Sequence, residues 1–299
     1  MWLNRFMLVA RIITLSLIVL CSVSTAATID LATGLVGEFL FNNSASDSSG
    51  NGNNGTIYNL SSTFDRFGTS GAAYNFSGNA SYVAIPTLIQ NIAAGATLFS
   101  WIKVDPSVQS LASGSDFWLN IISQPRSNLF SSYQRTGFRL QIYNGYSNGD
   151  YNGGYQGLRL NAGYNDDTGL NGPAQNVVVF GPNNSSVADG QWHSVAATLK
   201  TDETSRVISV YLDGVFASSE IIRPDPITAD APFYIGTEYD PNNSFPEPRP
   251  FIGSIDDVRV YNRALSSDEI QALHLVPEPS SLSLLLAGGA VALFRRRKS

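Results

Sequence analysis

Between residues 30 and 275, apolar and polar positions alternate in short bursts instead of recurring every three or four residues. In Val207-Ile208-Ser209-Val210-Tyr211-Leu212, Ile208, Val210 and Leu212 share one face of an extended chain, the period-two pattern of a half-buried strand. Runs of this kind, rich in β-branched and aromatic residues, predict strands over 35–41, 72–76, 82–85, 97–104, 117–122, 138–143, 158–161, 177–180, 193–200, 207–212, 233–236 and 252–261. Clusters of Gly, Asn, Ser and Asp separate them. So many short strands predict an all-β domain of two antiparallel sheets, each burying one face against the other.

Local signals fix two connections. Asp213-Gly214 stands between apolar runs and predicts a hairpin, because a type I′ turn holds both central residues at positive φ. Ser266-Ser267-Asp268-Glu269 has the form of a capping box, with Ser266 as N-cap and Glu269 at the third helical position. It predicts a short helix over 267–273 that closes the domain. Residues 143–175 differ, with Tyr143, Tyr146, Tyr151, Tyr155 and Tyr164 interleaved with Gly and Asn. That stretch predicts long loops or twisted hairpins. Its Tyr146, Tyr151 and Tyr155 are either sugar-stacking rings, apolar with a polar tip, or covers over an irregular insertion.

Both ends break the pattern. Arg5 and Arg11, an apolar stretch over 12–20 and the small residues Ser24-Thr25-Ala26 have the layout of a secretory signal peptide, here residues 1–26 with a signal helix. Leu20 before Cys21 is too large for a lipidation site. At the other end, Pro277-Glu278-Pro279 precedes a short hydrophobic helix over 281–294 and then Arg295, Arg296, Arg297 and Lys298. About 20 apolar residues cross a ~30 Å hydrocarbon core, so this run spans only with local thinning or snorkelling, as suits a temporary anchor. Proline pair, apolar run and basic stop together resemble the PEP-CTERM sorting signal. The resemblance implies that residues 276–299 are held in the inner membrane, with Arg295, Arg296 and Arg297 as the cytoplasmic stop. It implies cleavage near Pro277-Glu278-Pro279 by a membrane protease of the exosortase type. It also implies export to the cell surface or extracellular matrix of a Gram-negative-type bacterium.

The ends also change the reading of composition. Cys21 is the chain's single cysteine and falls in the leader, so the exported form has no disulfide. The formal charge is −6, but six of the 18 basic residues lie in the end segments. The remaining 12 face 24 Asp and Glu, a charge near −12 when Glu278 is kept. No basic footprint for nucleic acid remains, and an acidic surface draws cations instead.

Four segments in series resemble a laminin-G-like domain, a concanavalin A-like jelly roll. The first is Gly34-Leu35-Val36-Gly37-Glu38-Phe39-Leu40-Phe41 with the polar loop that follows it. The second is Thr97-Leu98-Phe99-Ser100-Trp101-Ile102-Lys103. The third is Gln191-Trp192-His193-Ser194-Val195 with Val210-Tyr211-Leu212-Asp213-Gly214 after it. The fourth is Phe251-Ile252-Gly253-Ser254-Ile255-Asp256-Asp257-Val258 and the residues through Ser266. The resemblance covers residues 30–275 and implies a two-sheet antiparallel jelly-roll sandwich; the departure is 105–187, which is longer and richer in Tyr and Gly. Trp101 and Trp192 are expected in the inter-sheet core, and His193 as a satisfied structural side chain.

Asp47-Ser48-Ser49-Gly50-Asn51-Gly52-Asn53-Asn54-Gly55 packs oxygen donors between glycines, the kind of set calcium takes. Members of the resembled family often hold a structural calcium, which carried over implies one Ca2+ on Asp47, Asn51 and Asp256 where first and last strands are neighbours. The same residues equally make turns through bonds to nearby amides, and both readings stand. Catalysis has less support. Glycoside hydrolysis needs two carboxylates about 5 to 9.5 Å apart, yet Glu38 has no second carboxylate beside it. Asp256 and Asp257 are adjacent, so a regular strand turns them to opposite faces. No Gly-x-Ser-x-Gly elbow occurs. The expected function is a non-enzymatic exported domain that binds glycan or protein, with an extracellular polysaccharide as partner. The alternatives are a polysaccharide-cleaving enzyme of the same fold and a purely structural envelope component.

Overall fold

The computed structural model describes residues 29–277 except 79, 87, 89–94, 109–116, 125–137, 145–158, 165–174, 180–186, 202–204, 223–231 and 238–249. The described strands are β1 (Leu35–Phe39), β2 (Thr56–Tyr58), β3 (Ser61–Phe64), β4 (Ser70–Ser77), β5 (Tyr82–Ile85), β6 (Ala96–Val104), β7 (Phe117–Ser123) and β8 (Arg139–Asn144). They continue with β9 (Arg159–Tyr164), β10 (Gln175–Val179), β11 (Trp192–Thr201), β12 (Arg206–Leu212), β13 (Val215–Ile222), β14 (Phe233–Ile235) and β15 (Ile252–Tyr261), followed by helix α1 (Ser267–Leu275). Two antiparallel sheets result. Sheet A runs β13-β12-β11-β6-β15-β4-β3, with β1 also paired to β15; sheet B runs β10-β9-β8-β7-β14-β5-β2. The fold is the all-β, two-sheet, jelly-roll-like sandwich that the alternation predicts. The expected signal helix and C-terminal hydrophobic helix lie outside the described residues.

The sheets stack through their alternating aliphatic positions. Val83, Ile122, Leu140 and Ile235 of sheet B are buried in one cluster with Leu98, Ile102, Ile208 and Ile255 of sheet A. First and last strands of the domain are neighbours, with Glu38 opposite Arg259. Arg259 Nε donates to Glu38 Oε1 at 2.8 Å, so this strand carboxylate is one half of an ion pair. Asp213 and Gly214 take φ values of 51° and 75°, which makes β12 and β13 the hairpin their sequence predicts.

Trp101 and Trp192 depart from expectation. They lie on the outer face of sheet A, in a second apolar cluster with Phe99, Ala196, Tyr211, Leu265, Ile270 and Leu273. The parity of β6 explains this. Leu98 and Ile102 face sheet B, so Phe99 and Trp101 face away from it, and α1 helps to bury that outer row. The helix is fixed by the predicted capping box: Glu269 N donates to Ser266 Oγ at 3.3 Å, and Ser266 N donates to Glu269 Oε2 at 2.8 Å. An N-cap of this kind stabilises by roughly 1 kcal/mol.

Candidate functional site

The strands of sheet B that send aliphatic residues inward send a different set outward. The register aligns Ala84, Tyr234, Ser123 and Arg139 in one outward row, with Gly163 and Asn176 at the next positions. A second row sets Tyr58 opposite Tyr82 and Asn120 opposite Gln141. A bulge between Asn120 and Ile122 lets both Ile121 and Ile122 join the core while Asn120 and Ser123 face out. The Tyr58 and Tyr82 rings stack at 4.5 Å and 18°, and Tyr82 meets Tyr234 edge-on at 6.1 Å. Tyr58 is 41% exposed, so the series opens to solvent at β2, the edge strand. Asn120, Ser123, Arg139 and Gln141 are buried; the Ser123 hydroxyl donates to Thr237 O at 2.7 Å. Burial of amides and a guanidinium is costly without hydrogen bonds, so such residues in a row mark a polar face. Sequence reading missed them. The signal available was a lone polar residue inside an apolar run, as in Leu119-Asn120-Ile121 and Leu140-Gln141-Ile142.

The Asp47 loop is stitched to β1. Asp47 Oδ1 accepts from the backbone N–H of Glu38 at 3.0 Å and of Ser49 at 2.9 Å, and Oδ2 from that of Asn53 at 2.9 Å. Asn51 Nδ2 donates to Leu35 O and to Ser49 Oγ at 3.0 and 2.9 Å. Burial pushes the Asp47 carboxyl up, but the Ser49 hydroxyl and the amides of Glu38, Ser49 and Asn53 outweigh it and hold it below its ordinary value. Asp256 is engaged elsewhere. It is fully buried and its Oδ2 lies 3.2 Å from Arg66 Nη1. The three expected calcium ligands therefore serve two arrangements: Asp47 and Asn51 hold a loop together, and Asp256 faces a guanidinium. Among the described residues no group of three His, Cys, Asp or Glu is spaced to hold a metal ion. As arranged, Asp47 and Asn51 make the bonds to nearby amides and carbonyls that a turn requires.

Asp256 and Asp257 do not point to opposite faces. Both carboxylates meet Arg66 Nη1, at 3.2 and 2.8 Å. A register shift between Asp256 and Arg259 and a φ of 48° at Asp257 reset the alternation, as a bulge does. The Arg66 guanidinium also lies over the rings of Phe67 and Trp101, at 4.5 and 4.6 Å. Its Nη2 donates to Val276 O at 3.2 Å. The His274 ring also stacks on Trp101, at 5.2 Å, with Nδ1 2.8 Å from Ser194 Oγ. This hydroxyl–imidazole pair ties α1 to β11, because Ser194 is buried beneath the helix. His193 sits 2.9 Å from Asp213 and 3.2 Å from Asp189. The Asp213 hydrogen bond pushes its imidazole above the ordinary value, against the opposing effect of burial.

Pro277 is exposed just past α1. Glu278, Pro279, Arg295, Arg296, Arg297, Tyr146, Tyr151 and Tyr155 lie outside the described residues. No helix among the described residues is long and apolar enough to cross a membrane.

Residues 77–271 match the Concanavalin A-like lectin/glucanases superfamily, and residues 275–298 match the PEP-CTERM protein-sorting motif. No curated protein matches the chain. Among solved structures it is similar to the binding domain of Paraclostridial Mosquitocidal Protein 1, at 15% identity and a TM-score of 0.57, over 82% of this chain and 52% of that one. It is also similar to domain 4 of AbnA, a GH43 extracellular arabinanase from Geobacillus stearothermophilus, in complex with arabinotriose. That match has 21% identity and a TM-score of 0.51, over 80% of this chain and 98% of that one. A third is the botulinum neurotoxin serotype D ligand binding domain in complex with N-acetylneuraminic acid, at 15% identity and a TM-score of 0.54, over 81% and 51%. The chain thus spans about half the length of the toxin domains it matches. At these identities the likeness is one of fold.

Proposed function

Because the chain belongs to the Concanavalin A-like lectin/glucanases superfamily, we propose that it is an exported, non-enzymatic protein that binds glycan on the outer face of sheet B. The observation that carries this reading is the Tyr58, Tyr82 and Tyr234 series at the rim of a polar sheet face. A sugar ring offers C–H bonds on its face and hydroxyls at its edge. Tyrosine rings take the first and tyrosine hydroxyls the second; Asn120, Ser123, Arg139 and Gln141 lie buried beside them. Such groups donate and accept hydrogen bonds, whereas glycoside hydrolysis calls for paired carboxylates. The AbnA domain and the serotype D domain hold arabinotriose and N-acetylneuraminic acid on a similar fold, which supports a glycan as the ligand class. Tyr146, Tyr151 and Tyr155 are further candidate rings for the same ligand.

The matched sorting motif supports the second half of the proposal. The chain passes the inner membrane, is held there for a time by residues 281–294, and is cut near Pro277-Glu278-Pro279 by an exosortase-type protease. Its destination is the cell surface or extracellular matrix.

A glycan array probed with the full chain tests the binding. Hits are expected, and Tyr58→Ala and Tyr82→Ala are each expected to weaken them about tenfold, or about 1.4 kcal/mol, with unchanged thermal unfolding. Binding that survives both substitutions, or release of new reducing ends from a bound polysaccharide, overturns the reading.

A further inference from the structure

Four exposed apolar side chains lie about the exit of the chain from α1. They are Phe64, Phe67, Phe216 and Leu275, each exposed over 49–67% of its surface. Leu275 ends that helix. To one side, Arg66 joins Phe67 to the exit, with its guanidinium 4.5 Å from the Phe67 ring and a hydrogen bond of 3.2 Å to Val276 O. Phe64 ends β3 two residues before Arg66. To the other side, a Cβ built on Gly214 would lie 2.8 Å from His274 Cβ, so the hairpin that leads into Val215 and Phe216 packs against the last turn of the helix. Half-buried Trp192 stands opposite exposed Lys103 on the same outer face. Aliphatic side chains and aromatic rings rimmed by Trp and Lys suit the boundary between headgroups and acyl chains.

The chain beyond this point decides what covers the patch. The apolar run begins at Leu282, six residues after Val276. At no more than about 3.6 Å per residue, those residues reach roughly 20 Å. The run from Leu282 to Phe294 has 13 residues, about 20 Å as a helix against a hydrocarbon core of ~30 Å. With Arg295 to Lys298 held on the far side, so short a run draws the domain down onto the bilayer. We infer that Phe64, Phe67, Phe216 and Leu275 dock on lipid at the surface of the membrane that holds the sorting segment. Arg66 is the positioning residue that pins the exit in the middle of this face. The inference rests on the sorting reading and adds which side of the sandwich meets the membrane; the glycan face, on the opposite sheet, points away from it.

Depth-dependent quenching tests the docking. The full chain with Cys21→Ser is reconstituted into phosphatidylcholine vesicles, which lack the anionic attraction of other membranes. A fluorophore is placed at Phe67→Cys, Phe216→Cys or Tyr58→Cys, and some lipids carry a nitroxide at headgroup depth. Quenching at Phe67→Cys and Phe216→Cys is expected to exceed that at Tyr58→Cys at least threefold. Leu285→Asp with Leu286→Asp, which removes the tether, is expected to bring Phe67→Cys down to the Tyr58→Cys level. Equal quenching at the three positions in a chain that floats with the vesicles overturns the docking and leaves the sorting reading standing. A chain that does not float overturns both.

Discussion

The two outward faces of this sandwich are made of opposite materials. On sheet A the outward row is Phe99, Trp101, Ala196 and Tyr211, an apolar surface that a nine-residue helix covers. Three of its charges, Arg66 with Asp256 and Asp257, are buried and paired. On sheet B the outward rows are Tyr58, Tyr82 and Tyr234 with Asn120, Ser123, Arg139 and Gln141. Both sheets share one aliphatic core, so the core does not set this difference. One face closes the domain and fixes where its tail leaves; the other carries the ring series proposed for recognition. Function on such a scaffold follows from the residues grafted onto it and not from the fold.

The comparison breaks hardest at Arg66. Its removal leaves two buried carboxylates side by side, and breaking a buried ion pair from one side costs about 3–5 kcal/mol. Arg66→Ala is expected to lose stability of that order in urea titrations of the full chain. Arg66→Lys recovers part of it, because a lysine carries the charge without the planar fork and ring stacking. On the opposite face Gln141→Leu is expected to cost about 1–3 kcal/mol while reducing glycan binding. A Gln141→Leu loss as large as that of Arg66→Ala would show that both faces are structural.

Asp47 gives the next largest effect, and it lies apart from both faces. Hydrogen bonds to a charged group contribute about 1.5–3 kcal/mol, so Asp47→Ala, which releases the amides of Glu38, Ser49 and Asn53, is expected to cost about 2 kcal/mol after allowance for its half-exposed position. The sign in pH follows from its lowered folded value. The stabilisation is complete above the unfolded value of about 3.9 and disappears as pH falls through the folded one. Acid unfolding of Asp47→Asn is therefore expected to be flatter below about pH 4 than that of the native chain. In the same melts calcium is expected to leave the midpoint where it is. A rise of several degrees in the native chain but not in Asp47→Ala would return the ion to this loop.

How much of this was legible depends on how local each signal is. Strands β5 and β15 were read to the residue, because their alternation lies within the strand itself. Thr56-Ile57-Tyr58 and Ser61-Ser62-Thr63-Phe64 were not read; they are short and mostly exposed, and they form because β5 and β4 offer edges to pair with. In β13, Ala217-Ser218-Ser219 hides the pattern, and the strand follows from the Asp213-Gly214 turn that starts it. Trp101 was assigned to the wrong side because an apolar run reads alike on both faces when a helix covers the outer one. Arg66 gave no local sign at all, since the partner that fixes it lies 190 residues away. The site divides in the same way. Asn120 and Gln141 stand out as polar breaks in apolar runs, whereas the tyrosine series comes from three separate strands and exists only after folding.

The smallest effect is the finest probe of whether the faces are independent. The chain has two histidines, and both lie on the side of sheet A, His193 between Asp213 and Asp189 and His274 against Trp101 and Ser194. The folded value of His193 is raised, first by its bond to Asp213, then against the pull of burial by the charges of Asp213 and Asp189. A raised folded value means stabilisation that is fully present below the unfolded value of about 6.5 and is lost as pH climbs through the folded one. Thermal midpoints of the native chain are thus expected to fall as pH rises above about 6.5, by less than either substitution above produces, and His193→Gln is expected to flatten that slope. Glycan binding should stay level across the same range, because no histidine stands on the sheet B face. Binding that tracked the His193 titration would mean that the hairpin on one sheet adjusts the site on the other, and the division of labour between the faces would have to be given up.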